Sequence, residues 1–568
     1  MRIDRRGWMG LAAAAFAPPL RAATQPCPIP FPQTLTVHAG MNRYPQSISA
    51  ITAYALAELQ DYGLPGMTIA LADGLGFRAS INVGLANLSK GMAIRPDMLF
   101  QIGSIGKSLV ALCLYRLAEE GLIDLDQPLS RYLSLSAMPA ASFSIQQILN
   151  HSAGLPDEGK IWPDTSDGRY WTGFQPGARF SYSNVGYKFL GPLITAVTGR
   201  PHAEIILDTI LTPLGMTSAV PHIVTADRPR FASGYVPLLD DRPALSQAPL
   251  VEGPWADGDY CAGAICASSE AMSAYLAYIL RLGMGHGAPI LSDNSVSRLL
   301  ATDMAAPGLG PNLRYASGFQ KETSPDGTIL SHMGGMVLFK SAYHADIPAS
   351  LACFASVNGR VGRYSPKHVS RFAISAMKAE KAGRSLPVAT ASRAAITVSA
   401  RDMESGRYGC TSHASIDIIA DGAALYLSHE GVRARLEKNG DRKIITDHPA
   451  LSEYELELPQ GGMAADRFWW GPHLFSRRPE PAEVAAPDHL TGLCGTYVSA
   501  ETGYGTCRIF YRDGALFSQF HGRLTRNVDG YYRAHDDEGG LERLWFDRET
   551  NGRMMRLCIS GTHYFRID

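Results

Sequence analysis

Near residue 390 the chain changes its hydrophobic period, and that break constrains the fold more than any single motif. Upstream, segments of helical period alternate with short apolar runs bounded by turn residues. Downstream, short alternating segments follow one another between Asp-Gly and Gly-rich turns. A weak internal repeat divides this second part in two. Ile419-Ala-Asp421-Gly422-Ala-Ala-Leu-Tyr-Leu recurs as Tyr511-Arg-Asp513-Gly514-Ala-Leu-Phe. Each copy follows a Gly-rich lead, Gly406-Arg-Tyr-Gly409 or Gly492-Leu-Cys-Gly495, and Arg467-Phe-Trp-Trp470 and Arg543-Leu-Trp-Phe546 suggest a further correspondence. The run Arg478–Pro487 is a Pro-rich linker between the modules. Two modules of short strands predict two small antiparallel β-barrels, over residues 391–480 and 487–568.

A chain of 568 residues requires several domains, and residues 24–390 form the first and largest. Its opening predicts a helix over Ser47–Tyr62, stopped by Gly63 and Pro65, then strands Met67–Ala72 and Phe77–Val83 around an Asp73-Gly74 turn. Further helices are expected over Leu190–Val197, Glu270–Leu282 and His368–Ala382. Thr328–Phe339 is expected as a strand broken by two glycines. A helix, a hairpin and then more helices predict an α+β layout, with an antiparallel sheet carrying helices. With 46% hydrophobic residues there is ample core, and a formal net charge of −1 excludes a strongly electrostatic partner such as nucleic acid. No interior run approaches the ~20 apolar residues of a membrane span.

Residues 1–23 differ from the rest. Arg5-Arg6-Gly7-Trp8-Met9 precedes an Ala-rich segment from Leu11 to Leu20 and then Arg21-Ala22-Ala23. A charged start, a mildly apolar stretch and a small-residue cleavage zone predict a signal peptide of the twin-arginine type, hence an exported, periplasmic protein. A cytoplasmic protein with an over-extended start is the alternative. Cys27 lacks a lipobox. The nine cysteines show no Cys-x-x-Cys, and Cys261 with Cys266, or Cys494 with Cys507, are the weak pairing candidates. The 16 histidines show no metal-ligand spacing.

The chemistry-bearing stretch is Phe100-Gln-Ile-Gly-Ser104-Ile-Gly-Lys107, a short extended lead-in that runs into an apolar helix stopped by Gly121. Ser104 opens that helix, and Lys107 lies one turn on, on the same face. A serine hydroxyl becomes a useful nucleophile when a neighbouring amine takes its proton, and a helix start favours the developing charge. A phosphate-binding loop is excluded, because Gln101 stands where glycine is needed. An ordinary helix start capped by Ser104 is the plain alternative. Downstream stand Tyr182-x-Asn184, whose side chains project to one side of an extended segment, and His332-Met333-Gly334. The adjacent His151 and Ser152 are taken as loop residues.

Together the three ordered motifs resemble the penicillin-recognising serine hydrolases, which include class C β-lactamases, DD-carboxypeptidases, related esterases and D-aminopeptidases. The phrases His151–Leu155, Pro176–Asn184 and Pro213–Met216 are similar as well. The resemblance implies an α+β beta-lactamase-like catalytic domain, an antiparallel sheet with helices on both faces plus an all-helical region, in which Ser104 forms an acyl-enzyme and Lys107 and Tyr182 manage protons. It makes Tyr182 the base toward Ser104 and the acid toward the leaving amine, provided that nearby cations lower its pKa. Asn184 would orient Lys107 and the substrate amide, the N–H groups of Ser104 and Gly335 would form an oxyanion hole, and Gly334 would let substrate lie close. No metal or organic cofactor is implied. β-Lactamases and carboxypeptidases carry Lys-Thr-Gly where this chain has His332-Met333-Gly334, whereas His-x-Gly resembles the D-aminopeptidases.

Those enzymes also carry two C-terminal lipocalin-like barrels, and the resemblance implies a homodimer. It points to a small peptide or amino-acid amide as substrate, with release of N-terminal D-residues. A loop of the last barrel then reaches the active site; Arg523–Gly530 is the candidate, with Asp529 as the carboxylate for the substrate ammonium. An Asx-Gly hairpin turn is the alternative reading of that segment. Two other functions remain open on the same residues: an esterase, D,D-carboxypeptidase or β-lactamase-like hydrolase, and a non-catalytic ligand-binding or sensor protein.

Overall fold

Strand Gly66–Asp73 is buried at every position, because both faces of its sheet are covered. Ile69 and Leu71 turn to one face, where they meet Ile51, Ala55 and Leu59 of helix Pro45–Tyr62 and Val369, Ala373 and Met377 of helix Lys367–Lys381. Ala70 and Ala72 turn to the other and pack with Tyr275, Leu276 and Ile279 of helix Ser269–Gly283. The alternation follows from the two-residue period of a strand. The computed structural model describes residues 31–568 apart from 160–162, 164, 166, 240, 363, 390–395, 441, 461–463, 479–483, 502–504 and 535–540. The leader over 1–23, Cys27, the boundary at 390 and half of the linker therefore lie outside the described residues.

The large sheet runs in the order Gln33–Ala39, Arg78–Asn87, Gly66–Asp73, Leu351–Val357, Lys340–Asp346, Gly327–Gly335, Phe319–Ser324, Leu313–Ala316 and Met304–Ala305, with every neighbour antiparallel. Residues from the two ends of the first domain thus share one sheet, and the helices between them form the second layer. Helix Gly106–Glu119 is at the centre of that layer and is buried at all positions from Gly106 to Tyr115 and at Leu117. A helix apolar nearly all round belongs in a core. Gly63 (φ 69°) ends the first helix in the left-handed conformation expected of it.

Two expected boundaries shift. The helix expected over Leu190–Val197 begins earlier and spans Asn184–Thr198, because the Ser183 hydroxyl accepts from the Gly186 N–H and caps it. The strand expected over Thr328–Phe339 ends at Gly335; Met336–Phe339 is a turn closed by Met336 N–H donating to the Phe339 carbonyl at 2.9 Å.

Beyond residue 400 two antiparallel barrels follow. The first has eight strands from Gly406–Tyr408 to His473–Ser476, each beside the next, and its seam is joined where Gly409 and Ser476 exchange hydrogen bonds of 2.8 and 3.0 Å. The second, from Gly495–Val498 to Thr562–Arg566, closes through Tyr497 opposite Arg566 and Val498 opposite Phe565. The repeated Asp-Gly pairs do lie at corresponding hairpins, but one residue out of step. Gly422-Ala423 forms the first turn, with only the glycine at positive φ (59°), whereas Asp513 (48°) and Gly514 (74°) both fill the second. The suggested match of Arg467–Trp470 with Arg543–Phe546 does not hold: one is the seventh strand of its barrel, and the other leads into the sixth. All eight described cysteines are free, so neither suggested pair is bonded.

Candidate active site

From Met98 to Tyr115 every residue is buried except Ser104. Gly103 (φ 57°) makes the turn that lifts Ser104 out, and Ser104 sits in a short 3-10 turn, Gly103–Ile105, that leads straight into the helix. Lys107 is wholly buried below it. The Lys107 Nζ lies 3.0 Å from Ser104 Oγ, 2.6 Å from Asn184 Oδ1 and 2.6 Å from the Ala262 carbonyl. Those last two partners are acceptors only. A neutral amine directs its two hydrogens to them, which leaves its lone pair facing Ser104.

Asn184 has no freedom to flip. Its side-chain Nδ2 donates to Asp157 Oδ1 at 2.8 Å, and its backbone N–H donates to the same oxygen at 3.0 Å. Its Oδ1 must then face Lys107. Tyr182 is hydrogen-bonded to Ser104, and its ring centroid is 5.0 Å from Lys107 Nζ. His151 lies behind it, with ring centroids 4.1 Å apart, and accepts the Ser183 N–H at Nδ1 over 3.0 Å. Tyr182 and Asn184 do converge, though by a different route from that expected. The intervening Ser183 is extended, but Asn184 is already the first residue of a helix.

Gly334 and Gly335 bring the sheet to the nucleophile. A Cβ on Gly334 would lie 1.9 Å from the Ile102 carbonyl oxygen, so the absent side chain admits the nucleophile turn rather than a substrate. A Cβ on Gly335 would meet nothing within 4 Å, and that is the open position. Because Met336 bonds to Phe339, the Gly335–Lys340 pair is a non-hydrogen-bonded one, so Gly335 N–H points away from strand Lys340–Asp346. Strand Phe319–Ser324 pairs on that other side only as far as Ser331. The Gly335 N–H is therefore turned to the edge occupied by Gly103 and Ser104.

His332 departs from the expected substrate contact. It is 1% exposed; its Nε2 is 2.9 Å from the Tyr315 hydroxyl and its Nδ1 2.7 Å from the Met333 carbonyl. Strand alternation turns it inward and turns Met333 outward, 44% exposed. Asp529 departs as well. It pairs with Arg533 and lies 3.6 Å from Arg543, both on its own barrel. Beside Asp157 the last barrel touches the catalytic domain through Leu541–Arg543, and elsewhere Arg508 Nη1 donates to the Asp241 carbonyl at 2.6 Å. Glu542 Oε1 accepts the Asp157 N–H at 2.6 Å and the Glu158 N–H at 3.2 Å. Trp171 Nε1 donates to the Leu541 carbonyl at 2.9 Å, and the Arg543 guanidinium lies 4.4 Å from the Trp171 ring centroid.

Burial sets the charge states. It pulls Lys107 down to about 7, against the opposing pull of Asp157 and with help from Lys188. It pushes Asp157 up, although the Asn184 N–H and both lysines act the other way. Tyr182 is raised, again by burial, so the expected lowering by nearby cations is not met and the phenol stays protonated. Burial also holds His332 at about 3, hence neutral. Glu542 is raised to about 8 by burial, with Asp157 and Glu158 adding to the effect.

Residues 51–369 match the family described as Beta-lactamase. The chain belongs to the beta-lactamase family of serine hydrolases. Within it, a beta-lactamase of Pseudomonas fluorescens is 28% identical over 191 residues, 31% of this chain and 51% of that protein. Esterase EstB of Burkholderia gladioli is 29% identical over 180 residues, 27% of this chain and 45% of that protein. The chain thus spans about half the length of the curated relatives it matches. Among solved structures, the octameric penicillin-binding protein homologue from Pyrococcus abyssi has a TM-score of 0.54 at 20% identity, over 76% of this chain and 100% of that one, which is a likeness of fold.

Sequence reasoning missed four members of this beta-lactamase family site. Asp157 had a faint signal, an acid directly after the Gly154-Leu-Pro156 loop. His151 was visible but set aside with its loop. Ala262 contributes a carbonyl, which any residue has, and Glu542 enters only through docking of the last barrel.

Proposed function

We propose that this protein releases N-terminal D-amino acids from short peptides or amides through an acyl-enzyme on Ser104. The observation that carries the reading is Lys107, buried, shifted to about 7 and aimed at Ser104 by two acceptors. Its neutral amine takes the Ser104 proton as Oγ attacks the carbonyl carbon. The N–H groups of Ser104 and Gly335 receive the oxyanion. Tyr182, protonated and bonded to Ser104, passes a proton to the leaving amine and is refilled from Lys107. Water then enters by the reverse path and releases the acid.

The substrate class rests on charge. Neutral, buried His332 gives the strand no side-chain cation for a substrate carboxylate. Asp157, Glu158 and Glu542 meet at the barrel contact with their pKa values raised, and a free ammonium beside them would draw them back to the charged form. A second reading, an esterase, draws support from the exposed, apolar Met333 beside Gly335. The Arg5-Arg6 leader pattern supports a periplasmic protein, which cell fractionation tests.

The deciding experiment is hydrolysis of D-alanine and L-alanine p-nitroanilides, with Ser104→Ala as the blank. Selective cleavage of the D-form, lost in the variant, is the expected result. Cleavage of a short acyl ester alone makes the protein an esterase, cleavage of nitrocefin alone a β-lactamase, and silence on every substrate overturns the catalytic reading.

A further inference from the structure

The first barrel gathers a second group of reactive side chains, far along the chain from Ser104. Cys410, Ser412 and His413 follow strand Gly406–Tyr408, and His473 opens the last strand, His473–Ser476. The Gly409–Ser476 pairing at the seam draws these two segments together. One ligand atom from each of Cys410, His413 and His473 lies within 4.8 Å of the others. The Ser412 hydroxyl sits at their focus, 3.3 Å from Cys410 Sγ, 3.1 Å from His413 Nδ1 and 2.8 Å from His473 Nδ1. The two imidazole rings are 4.0 Å apart, and both lie against Trp470 at 5.5 and 5.7 Å. Trp470 is itself held by its Nε1 donating to the Leu451 carbonyl at 2.9 Å.

We propose that Cys410, His413 and His473 bind a zinc ion. One thiol and two imidazoles, two of them from a Cys-x-x-His turn and the third from a neighbouring strand, form a donor set of borderline softness. On binding, the thiol releases its proton to solvent and the Ser412 side chain turns aside, leaving the fourth position to water. The linear sequence hides this set, because 60 residues or so separate its two parts and only the barrel fold joins them. The ion's role follows from its place. It bridges the first loop to the last strand across the seam where Gly409 pairs with Ser476, so it reinforces the closure of the barrel.

The test uses the full-length protein, stripped of metal and titrated with Zn²⁺ alone by calorimetry, then with Co²⁺ as a spectroscopic reporter. One ion per chain is expected, with a thiolate-to-cobalt charge-transfer band and a rise in Tm on adding Zn²⁺. Cys410→Ser and His473→Gln should each remove the band or weaken binding by about 100-fold. Circular dichroism and Ser104-dependent hydrolysis should stay unchanged, which keeps a folding failure distinct from a lost ligand. Absence of binding, or binding that survives both substitutions in folded protein, overturns the proposal.

Discussion

Asp157 grips Asn184 twice through a single oxygen, Oδ1, which accepts both the backbone N–H and the side-chain amide of that residue. Asn184 in turn presents its own oxygen to Lys107. Replacing Asp157 with alanine should free the amide to rotate and lower kcat by about 10- to 100-fold, with a smaller change in KM. Asp157 also holds the Lys107 pKa up, so the acid limb of the rate profile should move to lower pH. Steady-state kinetics across pH check both; an unmoved limb would mean that Asp157 acts on packing alone.

Lys107 predicts the pH dependence of the wild type. It must be neutral to accept the Ser104 proton, and burial sets its pKa at about 7. The free-enzyme kcat/KM should therefore rise with pH through about 7 and level off above it. Stability has the same sign. Between about 7 and the ordinary lysine value of 10.5 the unfolded chain binds more protons than the folded one, so folding gains as pH rises across that window.

Gly334→Ala should cost activity more than fold. The added carbon would overlap the Ile102 carbonyl and push the nucleophile turn away from the strand edge. A loss of about 100-fold or more in kcat is expected from a displaced oxyanion pair, with near-native circular dichroism. Gly335→Ala, at the open position, should instead raise KM.

Glu542 offers a prediction with opposing variants. Glu542→Ala strips two N–H groups of their acceptor and should destabilise the docked barrel by about 1–3 kcal/mol. Glu542→Gln keeps an acceptor oxygen and removes the titration. Because the folded pKa is raised from 4.5 to about 8, the wild type binds extra protons when folded and loses stability as pH climbs through that range. Denaturant unfolding at several pH values should show the Gln variant overtaking the wild type toward pH 8.

Much of the catalytic frame was legible because its signals are local. Ser104 and Lys107 sit one helical turn apart, Gly63 stops its helix, and the barrels announce themselves by a change of period. What escaped depends on distance in sequence. His332 carries the right motif, yet the strand turns it inward to Tyr315. Tyr182 was expected to serve as base if nearby cations lowered its pKa, but burial outweighs the bond to Ser104, and Asp157 adds to the rise. Asp529 was placed by loop position, and its arginine partners became visible only when the barrel closed. Asp157 and Ala262 hold Lys107 in place through contacts that no spacing encodes.

The wall formed by Trp171 and Leu541 joins residues 370 positions apart, and the Asp157–Glu542 contact joins residues 385 apart. The nucleophile and its amine come from one part of the chain and the other half of that wall from a part far downstream. The Ser104–Lys107 pair is held within the first domain by Asn184 and Ala262, whereas the wall needs a docked barrel. Undocking of the last barrel would therefore strip away half of that wall and leave the nucleophile pair intact.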